Sequence, residues 1–162
     1  MRALQATPDV PASALSIRRL ARGDLSAVAR IDAHHTGQRK TAYWKALFRE
    51  FVGAGGRKAR VGLAAEAGGG VVGYLLGEVR AFEFGSPPCG WIFAVGVDPA
   101  RLRRGIASAL LAEACRAFAA QGIATVRTMV RRNEVPVLSF FRSSGFAGGA
   151  YVQLELNPEP RA

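Results

Sequence analysis

The pattern of apolar and polar positions changes period several times along the chain. Ser16 to Leu20 reads as a short strand. Gly23-Asp24 offers a helix start, and Leu25, Val28, Ala29 and Asp32 follow at helical spacing. Thr41 to Val52 predicts a second helix, because Trp44, Leu47, Phe48 and Phe51 fall on one apolar face. Arg39, Lys40, Lys45 and Arg49 decorate its remainder. A glycine-rich break with a basic tip, residues 53–58, leads into a strand from Ala59 to Ala65. After the turn Gly68-Gly69-Gly70, a β-rich run from Val71 to Phe84 alternates, so the two strands predict a hairpin. A second turn, residues 85–90, precedes Trp91 to Val97, almost wholly apolar and therefore expected to be covered on both faces.

The period then lengthens. Ile106, Leu110, Ala114 and Phe118 recur every four residues between Gly105 and Gln121, and Gly122 is placed to end that helix in the left-handed conformation. Ile123 to Val130 reads as a strand, Pro136 to Ser144 as a helix closed by Gly145, and Tyr151 to Leu156 as a last strand. The predicted order is β-α-α-β-β-β-α-β-α-β, an α/β fold (α+β in some schemes) with a mixed sheet. One domain over residues 16–156 is expected, with a flexible arm at 1–15 and a tail at 157–162.

Composition narrows the class. Hydrophobic residues make up 49% of the 162, too many for a disordered chain. No apolar run approaches the roughly 20 residues that span a bilayer. Residues 1–15 lack the apolar segment of a signal peptide, so a cytoplasmic protein without a membrane role is expected. Lys and Arg number 22 against 12 Asp and Glu, a formal charge of +10, and only Lys40, Lys45 and Lys58 of the 22 are lysines. Such a field concentrates anionic partners, although an Arg-, Ala- and Gly-rich composition can produce it without a ligand. Cys115, among Leu110, Leu111, Ala114 and Phe118, reads as a buried helical thiol, and Cys89, after Pro87-Pro88, as a turn residue open to solvent. Neither cysteine has metal-ligand spacing, and adjacent His34 and His35 point apart on a helix, so no metal site is expected.

Candidate chemistry concentrates between Val95 and Ser108. A buried strand ends at Asp98-Pro99, a loop with Arg101, Arg103 and Arg104 follows, and Gly105-Ile106-Ala107-Ser108 opens the long helix. Backbone N–H groups at a helix start lack internal partners, and with the helix dipole they favour an anion. Small residues at 105 and 107 allow a phosphate to approach the backbone. The segment contains neither GxxxxGK[ST] nor GxGxxG.

These residues resemble the GNAT superfamily of N-acetyltransferases, whose pattern Val-x-Pro-x-x-[Arg/Gln]-Gly-x-Gly-x-[Gly/Ala] is matched by Val97-Asp98-Pro99 through Arg104-Gly105-Ile106-Ala107. The resemblance runs from about Ser16 to Leu156 and includes the ending Ser143-Ser144-Gly145-Phe146. It implies a mainly antiparallel mixed sheet with helices on both faces, and acetyl-CoA as co-substrate. It implies that Val95, Gly96 and Val97 present backbone to the pantetheine arm and that Arg103, Arg104, Gly105, Ile106, Ala107 and Ser108 hold the pyrophosphate. Asn133 and Phe141 would lie toward the thiol end. Acetyl would pass directly to a primary amine of a small molecule or protein in a ternary complex, with a homodimer compatible and nucleic acid not expected as partner.

The chain also departs from that pattern. Leu102 stands where Arg or Gln is usual, and Phe141 where many members place a tyrosine that protonates the leaving thiolate. Glu134 occupies the position of a frequent asparagine, one residue beyond Asn133, and Trp91 that of a frequent carboxylate. Glu83 and Glu78 are then the candidate general bases. Counting by twos puts Glu83 with Val79 and Leu75 on an apolar face, where burial would raise its pKa; a strand-end carboxylate in water is the alternative. Glu78 is expected to pair with Arg80 or another arginine. Tyr43 and His35 are candidates for lining the acceptor pocket, whereas Trp44 reads as core. Two rival readings are an acetyl-CoA-binding protein with little catalysis and a basic nucleic-acid-binding module.

Overall fold

The computed structural model describes residues 15–52 and 59–158. The basic turn at 53–58 and nearly all of the expected arm lie outside the described residues. The chain divides into two compact units, residues 1–129 and 130–162. The domain expected over 16–156 spans both.

In the first unit, β1 (Ser16–Arg19), β2 (Arg60–Ala67), β3 (Gly70–Arg80), β4 (Cys89–Val97) and β5 (Val126–Thr128) form one sheet in that order. All neighbours are antiparallel except β4 and β5, which run parallel. The β2–β3 hairpin turns on Gly68 and Gly69, whose φ values of 62° and 77° suit a two-residue turn that side chains resist. Helices α1 (Leu25–Thr36) and α2 (Thr41–Phe51) cover one face and α3 (Ile106–Ala119) the other. Val28, Ile31, Trp44 and Phe48 pack on Tyr74 and Leu76 to form the core on the first face. On the opposite face, Gly73, Gly77 and Gly90 leave room for Ile106, Leu110 and Phe118. A Cβ at Gly90 would come within 2.6 Å of the Phe118 ring, so the strand glycine sets how closely α3 approaches.

Asp24 immediately precedes α1, but its side chain does not cap that helix. Its carboxylate instead accepts the Ala21 N–H at 2.8 Å and both Arg18 Nη groups at 2.7 and 2.9 Å. Arg18 Nε also reaches Glu66 at 2.8 Å, which fastens β1 to β2 and to the start of α1.

The second unit holds α4 (Val135–Ser143), with Pro136 in its first turn, where a missing N–H costs nothing. Phe141 is buried, with the rings of Phe140 and Phe146 at 5.0 and 5.1 Å.

Four expectations are corrected. The strand predicted at Tyr151–Leu156 does not form, and Val152, Leu154 and Leu156 are each more than three-quarters exposed. Alternation marks a segment that can be a strand, but a strand needs a neighbour to satisfy its backbone, and no described strand pairs with it. Strand β3 stops at Arg80 rather than Phe84, because Phe82 (φ 61°) and Phe84 (φ 47°) turn the chain through the left-handed region. Cys89 is the buried first residue of β4, not an exposed turn residue, and Cys115 is half-buried, its thiol pushed up by that burial. Strand β5 is three residues long, much shorter than 123–130.

Candidate functional site

The site begins with the way β4 leaves its neighbours. Leu76 pairs with Ala94 but Gly77 with Ile92, so Phe93 is an extra residue that bulges β4. Pairing with β5 ends at the same place, where Ile92 faces Thr128 and accepts its hydroxyl at 2.9 Å. Beyond Ile92, β4 pairs with a strand on one side only among the described residues.

Parity decides which backbone groups are left over. The Asp98 N–H donates to the Val72 carbonyl at 2.8 Å. Alternate residues of an antiparallel strand turn to the same side, so Gly96 and Ala94 also bond to β3, while Val95 and Val97 turn outward. An extended ligand with amide groups can pair with this free edge. Val95 and Val97 thus turn their backbone groups away from β3. Gly96 has a different part: its polar groups belong to the β3 ladder, and its missing side chain makes room for Tyr74.

Next comes the loop. Asp98 accepts the Ala100 N–H at 3.0 Å and the Arg30 guanidinium at 3.0 Å, and these two contacts, in that order, hold its carboxyl below the usual range. Arg103 and Gly105 both adopt positive φ, 61° and 74°. Gly105 then begins α3, whose first ladder bond runs from Ala109 N–H to the Gly105 carbonyl. The amides of Ile106, Ala107 and Ser108 thus lack helical partners. Arg103 and Arg104 are exposed and have no acidic partner among the described residues. Nothing lies within 4 Å of where a Gly105 Cβ would sit. Open space, free amides and two unpaired guanidinium groups suit a diphosphate.

A polar and aromatic cluster lies on the α1–α2 face. Asp32 is buried and accepts from Trp44 Nε1 at 2.9 Å and Lys40 Nζ at 3.0 Å. Lys40 also sits 5.7 Å above the ring of half-exposed Tyr43. Trp44 meets Tyr43 and Tyr74 edge-on, at 5.4 and 5.3 Å. The Tyr74 phenol is pushed up by burial, and further by Asp32 and Tyr43. His35 Nε2 reaches the outward-turned Val97 carbonyl at 2.7 Å. Tyr43 and His35 are hence both on the helices flanking β4, His35 in direct contact with its free edge.

The two carboxylate candidates differ from each other. Glu83 lies in an exposed turn, beyond the end of β3. The apolar strand face that implied burial does not extend to it. Glu78 is on β3 opposite Trp91, with its carboxylate held by Arg80 Nε at 3.1 Å, and Arg80 lies 4.5 Å over the Trp91 ring. Glu78 is thus an ion-paired strand residue, as expected. Asn133 is exposed just before α4, and Phe141 belongs to the phenylalanine cluster of the second unit. Among the described residues no group of His, Cys, Asp and Glu is arranged to hold a metal ion, and no helix is long and apolar enough to cross a membrane.

Sequence reasoning missed Asp32, Lys40 and Tyr74. The signal for Tyr74 was present: a glycine inside a strand, Gly96, marks a close approach by something else.

The acetyltransferase (GNAT) family pattern matches residues 25–146. The chain is 37% identical over 59 residues to a mycothiol acetyltransferase from Clavibacter michiganensis subsp. michiganensis (strain NCPPB 382), a match covering 36% of this chain and 19% of that protein. The fold resembles aminoglycoside acetyltransferase AAC(6')-Iy, solved with a bisubstrate analogue, with a TM-score of 0.75, 16% identity and coverage of 88% of this chain and 97% of that one. It also resembles ribosomal-protein-alanine N-acetyltransferase from Brucella melitensis biovar Abortus 2308, with a TM-score of 0.71, 16% identity and coverage of 89% and 99%. With its mixed sheet, its β4 edge and a family match over most of its length, the chain belongs to the acetyltransferase (GNAT) family.

Proposed function

We propose that this chain transfers acetyl from acetyl-CoA directly to a primary amine of a small molecule or protein, within a ternary complex. One observation carries the reading: the unpaired edge at Val95 and Val97 leads directly into a loop and helix start with free amides. In this reading the amides of the pantetheine arm pair with Val95 and Val97. Arg103, Arg104 and the amides of Gly105 through Ser108 take the pyrophosphate.

The acceptor approaches on the α1–α2 face, where Tyr43 is half-exposed and His35 meets the edge. Glu78 is engaged by Arg80 and Glu83 lies in open water, so the acceptor gives up its proton to solvent and enters as the neutral amine. The similar proteins are named for mycothiol, for aminoglycosides and for the alanine of a ribosomal protein, which sets the range to try.

The test is release of free thiol from acetyl-CoA with a panel of amines, including an aminoglycoside and a peptide with N-terminal alanine. At least one amine should raise thiol release above the rate of simple hydrolysis. Coenzyme binding without amine-dependent release would mark a coenzyme-binding protein instead. Absence of both would overturn the reading.

A further inference from the structure

We propose that the Tyr74 hydroxyl is the proton donor to the departing thiolate, a role that rests on the acetyl-transfer reading above. The family position for a phenol on α4 is filled by Phe141, which has no proton to give. Tyr74 offers a phenol from a different strand.

Three observations support it. First, the side chain lies across β4 toward its free edge. A Cβ on Gly96 would stand 2.6 Å from the Tyr74 ring and 3.0 Å from its hydroxyl oxygen, so only glycine permits this placement. Gly96 sits between Val95 and Val97, the two residues that turn outward. Second, the hydroxyl is unengaged. Tyr74 is only 3% exposed, and a buried tyrosine hydroxyl usually finds a partner. This one makes no hydrogen bond among the described residues. Among the described residues no fully buried side-chain oxygen or nitrogen lacks a partner, so the Tyr74 hydroxyl must open to solvent at its tip. Third, burial, with Asp32 and Tyr43 nearby, favours the protonated phenol. The group is therefore a donor rather than a base at neutral pH. Tyr43, the other phenol of the first unit, is half-exposed beside Lys40 and lacks this arrangement.

The step balances without a further reactant. The amine nitrogen forms a bond to the acetyl carbon as the carbon–sulfur bond breaks. The sulfur takes the Tyr74 proton, and the phenolate recovers a proton from the nitrogen that has just been acylated. The products are the N-acetyl amine, the free thiol and Tyr74 in its starting form.

The decisive variant is Tyr74→Phe, which keeps the ring packed against Trp44 and removes only the hydroxyl. Its melting temperature should match wild type, because no hydrogen bond is lost. Turnover with the best amine should fall by roughly 10²–10⁴-fold, the usual worth of a positioned proton donor. A second readout needs no turnover. Calorimetry near pH 9, where a free thiol is partly ionised, should show coenzyme A binding about tenfold more weakly to Tyr74→Phe, while desulfo-coenzyme A binds both proteins equally. Turnover within about threefold of wild type, or equal changes for the two ligands, overturns the assignment and leaves the acetyl-transfer reading standing. Wild-type protein that binds neither ligand overturns both.

Discussion

The Nε2 atom of His35 lies 2.7 Å from the carbonyl oxygen of Val97. The contact joins the end of α1 to the unpaired half of β4, and Arg30 reinforces it by reaching Asp98 at 3.0 Å. Since an oxygen acceptor is present, Nε2 carries the proton and donates. A carbonyl has two lone pairs, so Val97 can accept from His35 and from a coenzyme amide at once. The imidazole then fixes the peptide plane that the coenzyme arm must meet. His35→Ala should weaken acetyl-CoA binding about fivefold, the worth of roughly one net hydrogen bond, with little change in melting temperature. Tighter binding in titration calorimetry would show instead that the imidazole occupies the coenzyme's own place.

Gly105 combines a positive φ with open space around it. Two substitutions separate these features. Gly105→Ala carries only the backbone strain, about 1–2 kcal/mol for a left-handed residue with a Cβ. Gly105→Glu adds bulk and a negative charge where a diphosphate would rest. Both should melt a few degrees below wild type, but only Gly105→Glu should lose the melting rise produced by acetyl-CoA. An undiminished rise in Gly105→Glu would place the diphosphate elsewhere.

Asp24 gives a pH signature for the fold. Burial raises the pKa of its carboxyl, but the Arg18 guanidinium and the Ala21 N–H outweigh that and hold it below the ordinary value. A depressed folded pKa means stability that is present above the unfolded value of about 3.9 and is lost as pH falls through the folded one. Arg18 is partly exposed, so the contribution is about 1–2 kcal/mol. Asp24→Asn should melt lower than wild type by several degrees at pH 7. The gap should close below about pH 4. A gap unchanged down to pH 3 would mean the charge is not what matters at this position.

Local chemistry made much of the fold readable. Gly68-Gly69 between alternating runs requires a hairpin, and Trp44 with Phe48 on one helical face requires a core. The Val97–Ser108 segment carried its own signal, because glycine, arginine and a helix start coincide within a few residues. Where tertiary context decides, the chain gave less. Glu83 continues an alternating pattern, but Phe82 and Phe84 bend the backbone and take it into water. Tyr151–Leu156 has the alternation of a strand and no described neighbour to pair with. The His35–Val97 contact spans 62 residues of chain and leaves no local trace. The placement of Tyr74 over Gly96 depends on the register of β3 against β4, which no local pattern fixes.

Whether the β4 edge and the start of α3 form an acetyl-CoA site is read from a melting scan of the wild-type chain with and without the coenzyme. A ligand bound only by the native state stabilises it by about 2.7 kcal/mol at one hundred times its dissociation constant. For a chain of this length that corresponds to a rise of roughly 5–10 °C. Such a rise is expected with acetyl-CoA, matched by a binding isotherm in calorimetry. No rise and no heat of binding at millimolar acetyl-CoA would contradict it.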